Sequence, residues 1–207
     1  MRQRTSPELQ KAIADSRKIH QHIASIFGGL SLAEPRIYTT LGFCSTALEH
    51  QIAIANLIEW GFDTSTQSLL RCLLEAAYRG LWTQVVATES QLDAIRAGAH
   101  HFGNKIQPLI KDVDAKLGFN GELAIPDSMI GLLNGFVHTG IEQLGKQYDP
   151  DGSIQPSYTL EQMWVTVAVA ATHVSIMASV ICAKLRLHES MVLISGMLED
   201  SFPQLQQ

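Results

Sequence analysis

Apolar residues recur along this chain at helical spacing, and no alternating apolar and polar run competes with them. In residues 7 to 27, Leu9, Ile13, Ile19, Ile23, Ile26 and Phe27 approximate one stripe, the pattern of a helix buried on one face. The stretches near 65–87 and 159–187 are apolar nearly all round, which predicts two central helices. Further helices are expected near 36–60, 89–101, 105–117, 126–147 and 189–199. The fold class is therefore all-α, a multi-helix bundle with central apolar helices, and residues 1–207 are expected to form a single domain.

The helix boundaries are marked by capping chemistry. Thr-x-x-Gln lets the threonine oxygen accept from an early backbone N–H while the glutamine reaches back, and it occurs at Thr64–Gln67, Thr88–Gln91 and Thr159–Gln162. Ser6-Pro7-Glu8 and Pro126-Asp127 add proline-led starts. Glycines at Gly28, Gly29, Gly61, Gly103 and Gly118 fall where left-handed C-terminal caps are expected. Phe119-Asn120-Gly121 and the run from Tyr148 to Gly152 are turn chemistry, too short for interdomain linkers.

Composition sharpens this picture. The chain is 46% hydrophobic and only 17% charged, so more helix surface must be hidden than in a small two-sided bundle, which favours both a buried central helix and a homo-oligomer interface. Net charge is -5, and the 15 Lys and Arg are scattered, so there is no strong nucleic-acid signal. Cys44, Cys72 and Cys182 lie far apart in apolar stretches and read as core residues of a reduced, cytoplasmic protein. The N-terminus lacks the apolar core of a signal peptide. Met163 to Ala183 carries no formal charge and is long enough to cross a bilayer, but its Thr166, Thr172, His173, Ser175 and Ser179 favour a buried central helix, so no membrane association is expected. Trp60, Trp82 and Trp164 are expected to fill core.

Candidate chemistry centres on the third helix. Arg71, Glu75 and Arg79 are successive i, i+4 neighbours, so the carboxylate is placed to pair on either side. They form either a solvated strip beginning at Gln67 or an interior cluster between helices. His50 shares its helix with Glu49, Asn56 and Glu59, while His138 lies one turn after Asn134 and one before Glu142. The expected polar cluster or ligand-binding set is His50, Arg71, Glu75, Asn134, His138 and Glu142, because each buried polar group needs a partner.

Residues 69 to 82, LLRCLLEAAYRGLW, carry a pattern close to L-L-R-x-L-x-E-A-x-x-R-G-L-W, by which the chain resembles an uncharacterised bacterial helical family, a domain of unknown function. Ala47-Leu48-Glu49-His50 upstream and Asn134-Gly135-Phe136-Val137-His138-Thr139-Gly140 downstream extend the resemblance over roughly residues 40 to 175. It implies a helical bundle with His50, Arg71, Glu75, Trp82 and His138 in characteristic positions, and it implies no established reaction.

Two enzyme classes compete with a protein that binds a partner or small ligand. His50, Glu75, His138 and Glu142 are a conceivable metal set, but the Glu-x-x-His spacing of ferritin-like bundles is absent, and no metal or cofactor is expected. Ribonucleases of the toxin or phage-defence type use Arg followed by four to six residues and then His. Arg96 to His100-His101 and Arg17 to His22 fit that spacing at chance level, and a helix end accounts equally well for the paired histidines. Common hydrolase, nucleotide-binding and zinc-protease motifs are absent.

Overall fold

A computed structural model describes residues 6–30, 34–103, 105–137, 144–148, 153 and 157–206. Among these the architecture is all-α, with no strand. The helices are α1 (Pro7–Phe27), α2 (Pro35–Trp60), α3 (Asp63–Val85), α4 (Glu89–Arg96), α5 (Gln107–Leu117), α6 (Asp127–Val137), α7 (Leu160–Lys184) and α8 (His188–Ser201), followed by a 3-10 turn at Pro203–Gln206.

Local chemistry starts and stops these helices. Ser6 accepts from the Leu9 amide ahead of a proline-led α1. Thr88 and Thr159 each form a full capping box with the glutamine three residues on. Thr64 does not cap. Gly61 closes α2 in the left-handed conformation, and α3 begins at once, at Asp63, with Phe62 as its uncapped N-cap. Thr64 and Gln67 are thereby freed for tertiary bonds: Gln147 donates to the Thr64 hydroxyl at 2.6 Å, and Gln67 donates to that of Thr166 on α7 at 2.7 Å.

Two other expected boundaries move. The fourth helix stops at Arg96 rather than near residue 101, with Ala97 as its cap and Gly98 at φ +69°, so Gly103 ends no helix. Gly28 caps α1 with extended backbone, and the positive φ falls to Gly29. Of the helix expected over 126–147, Asp127–Val137 is observed, and residues 138–143 lie outside the described residues.

The core is organised around α3 and α7. Helix α3 packs against α2, α5, α6 and α7, and α7 also packs against α1, α2 and α8. Leu70, Leu73, Leu74, Ala77, Tyr78 and Leu81 on α3 are buried, as are Val167, Ala171, Val174, Met177, Ala178 and Ile181 on α7. Burying each large aliphatic side chain contributes about 1.5–3 kcal/mol relative to exposure. Gly80 permits the close approach: a Cβ there would stand 2.1 Å from Met177 Cε and 2.8 Å from Phe43 Cβ. A single cluster of buried apolar side chains runs from Leu9 to Phe202.

Helix α7 is the one described helix long and apolar enough to cross a membrane, with mean hydropathy 2.0 over its most apolar window. That window is 61% buried inside the bundle, where a lipid-facing span would be exposed. Cys44 and Cys182 are buried and Cys72 partly so, all three as free thiols, and burial pushes the Cys44 thiol up to about 12. Trp82 is buried and Trp164 packs edge-on against Phe202, but Trp60 departs from expectation. It is the last residue of α2, turned outward beside the Gly61 cap, and is 67% exposed.

Candidate functional site: the Arg71 cleft

Of the Arg71 row, Arg71 is interior, whereas Glu75 and Arg79 lie between the solvated and the interior alternatives. The Arg71 side chain is only 4% exposed, while Glu75 and Arg79, one and two turns on, are about one-third exposed, at 31% and 34%. Glu75 is shared: one oxygen takes Arg71 Nη2 at 2.8 Å and the other takes Arg79 Nη2 at 2.9 Å. Arg71 Nε donates to Asn134 Oδ1 at 2.8 Å, joining α3 to α6. Burial pulls the Arg71 guanidinium below its ordinary value, Glu75 opposes that shift, and Arg79 adds to it.

The elements around Arg71 are tied down independently. Ser68 donates to the Phe136 carbonyl at 3.0 Å, fixing the end of α6 on α3. The loop entering α6 is held by Asp114, which accepts from the Gly121 and Leu123 amides, and by Tyr78, whose hydroxyl donates to the Leu123 carbonyl at 3.1 Å. On α5, Asp112 accepts from the Trp82 indole at 3.2 Å. Arg79 lies over the Phe102 ring at 5.5 Å, and Phe102 stands edge-on to Trp82 and His100.

Between α3, α5 and α6 these supports leave an open cleft of about 630 Å³, lined by residues that include Arg71, Lys105, Gln107, Lys111, Asp112 and Asn134. Arg71 forms its inner wall. Its Nη1 is buried and has no hydrogen-bond partner among the described residues. A buried donor left without an acceptor costs about 1–3 kcal/mol, and more when it is charged, so this position favours an arriving oxygen.

Of the six residues expected to converge, Arg71, Glu75 and Asn134 do so. His138 and Glu142 lie outside the described residues. His50 is on α2, half-buried, and makes no hydrogen bond or ion pair with Arg71, Glu75 or Asn134 among the described residues. Burial lowers its pKa, with Glu49 opposing. Asn56 and Glu59, which share its helix, are taken by Arg17 of α1 at 2.6–2.8 Å. Lys105, Lys111 and Asp112 enter the cleft without having been singled out in the sequence. For Lys111 and Asp112 the signal is the polar face of α5, which any surface helix carries, and Lys105 lies in the segment just before that helix.

The other candidate constellations are dispersed. Among the described residues no group of three His, Cys, Asp or Glu side chains could hold a metal ion. Arg96 is half-exposed beside Asp93, His101 is exposed, and His100 stacks on Trp82 at 5.4 Å. Arg17 is engaged by Glu59.

Fold and cleft together define an all-helical bundle with a buried arginine presented between three helices. The chain belongs to the family of unknown function DUF6988, whose pattern matches residues 44–204. The match begins close to where the resemblance was expected to start and extends beyond residue 175 through α7 and α8. No curated protein and no solved structure matches the chain.

Proposed function

We propose that this protein is a cytoplasmic ligand-binding bundle whose cleft between α3, α5 and α6 holds a small molecule against the Arg71 guanidinium. One observation carries this: Arg71, 4% exposed and fixed on two sides by Glu75 and Asn134, lines an open cleft and keeps a buried Nη1 with no partner among the described residues. A purely structural arginine would be expected to use that nitrogen as well. The volume suits a small metabolite, and the polar groups converge on a few points, as in ligand pockets generally.

Ligand-observed NMR on a mixture of small polar metabolites tests this. At least one compound should bind the full chain at millimolar concentration or below, and Lys111→Trp, which fills the cleft mouth from an exposed position, should abolish its signal while leaving helicity unchanged. Absence of any such compound, or binding that survives Lys111→Trp, would overturn the ligand-binding role.

A second reading, self-association, is supported by Trp60 and Phe62, which flank Gly61 and are 67% and 56% exposed. Aromatic side chains so placed are enriched at protein interfaces.

A further inference from the structure

The charge and geometry of the cleft narrow the class of ligand, on the reading that the cleft binds one. Four cations stand in or beside it: Arg71, Lys105 and Lys111 on the lining and Arg79 immediately behind. Among the described residues, two carboxylates oppose them, Glu75 and Asp112. Glu75 is already divided between Arg71 and Arg79, and Asp112 accepts from Trp82. Lys105 and Lys111 are exposed and form no ion pair among the described residues. Among the described residues the local surplus is therefore positive, in a protein whose overall charge is -5.

Geometry then separates one anion from another. The edge of a guanidinium that best matches a planar carboxylate offers two parallel N–H donors. On Arg71 that edge is taken, Nε by Asn134 and one Nη2 N–H by Glu75, and Nη1 is the nitrogen left without an acceptor among the described residues. A tetrahedral group with three outward oxygens suits that arrangement, with one oxygen for Nη1 and others for two lysines acting as point charges. Helix α5 adds a further feature. It opens at Gln107 without a side-chain cap on Ile106, and Gln107 and Pro108 line the cleft, so the positive end of the helix dipole borders the same space.

We infer that the ligand of this cleft is a small phosphate monoester, its phosphoryl oxygens held by Arg71, Lys105 and Lys111 beside the start of α5.

Calorimetric titration of the full chain with glycerol 2-phosphate, inorganic phosphate, acetate and glycerol tests the assignment. Both phosphates should bind at least about tenfold more tightly than acetate or glycerol, a difference of about 1.4 kcal/mol. Affinity for the phosphates should fall as salt rises. Because Arg71 substitutions could unfold the bundle, the decisive variant is Lys105→Ala combined with Lys111→Ala. Both residues are exposed, so melting temperature should hold while phosphate affinity drops by at least about tenfold. Equal affinity for acetate and phosphate, or phosphate binding indifferent to loss of both lysines, overturns the assignment. If phosphates fail to bind but another compound from the metabolite mixture is held and is lost in Lys111→Trp, the phosphate assignment falls and the ligand-binding role stands. If nothing binds, both fall.

Discussion

Arg71 on α3 and Asn134 on α6 are joined by a 2.8 Å hydrogen bond across a separation of 63 residues, and this bond brings α6 to the cleft wall. Asn134 thus sets the direction of the guanidinium from one side as Glu75 sets it from the other. Replacing Asn134 by Leu strands a buried N–H, so stability should fall by about 1–2 kcal/mol in urea denaturation. Asn134→Asp should cost less, since it keeps an acceptor and adds a charge opposite Arg71. Equal stability of the wild type and Asn134→Leu would show that the bond contributes nothing net.

Glu75 is the shared acceptor of Arg71 and Arg79. Removing one partner of a fully buried pair costs about 3–5 kcal/mol, but Glu75 is partly solvated, so Glu75→Ala should destabilise by about 1–3 kcal/mol. Glu75→Gln, which keeps hydrogen-bonding capacity, should retain more stability. Chemical denaturation of the two variants side by side checks the order; equal losses in Glu75→Ala and Glu75→Gln would indicate that charge rather than hydrogen bonding dominates.

At Gly80 the constraint is steric. An added Cβ would collide with the flexible end of Met177 and with the less yielding Cβ of Phe43, so Gly80→Ala should cost about 1–3 kcal/mol despite the better helix propensity of alanine. Met177→Ala in the same chain should not rescue it fully, because the Phe43 contact remains. Thermal melts of the single and double variants measure both effects.

Acid sensitivity should appear well above the carboxylate range. Burial lowers the pKa of His20, His50 and His173, so the unfolded chain binds protons more readily than the native one once pH falls through about 6.5. The stability held by these neutral imidazoles is complete above that pH and is lost progressively as pH falls from 6.5 toward their lowered native values. His173, whose Nδ1 lies 2.8 Å from the Val169 carbonyl and whose ring meets Tyr78 at 5.6 Å, should titrate last by NMR. A melting temperature unchanged between pH 7.5 and 5.5 would contradict this.

Sedimentation should show at least a dimer at micromolar concentration, and Trp60→Ser with Phe62→Ser should shift the protein toward monomer. The apolar surplus alone does not demand this, since α3 and α7 bury most of it within one chain. The exposed aromatic pair is what now motivates it. A clean monomer for the unaltered chain would dispose of it.

The sequence by itself determined the helices, because capping and apolar periodicity act over three to seven residues. Ser6 and the Thr88 and Thr159 boxes stand where their local chemistry places them, and the all-round apolar segments became the central α3 and α7. Arg71 and Glu75 were legible for the same reason, as an i, i+4 pair in an apolar helix. Tertiary structure decided what each polar group was for. Thr64 and Gln67 carry the same letters as a capping box, yet the Gly61 turn starts α3 a residue ahead of Thr64, and both side chains bond across to other parts of the chain. Asn56 and Glu59 look like neighbours for His50 until Arg17 claims them from α1. Lys105, Lys111 and Asp112 are ordinary surface letters just before and on a short amphipathic helix, and only the packing of α5 and α6 against α3 sets them around Arg71. Local rules specify where a helix begins and which face is apolar; which partner lies opposite a given side chain depends on how distant helices dock, and spacing along the chain carries no record of that.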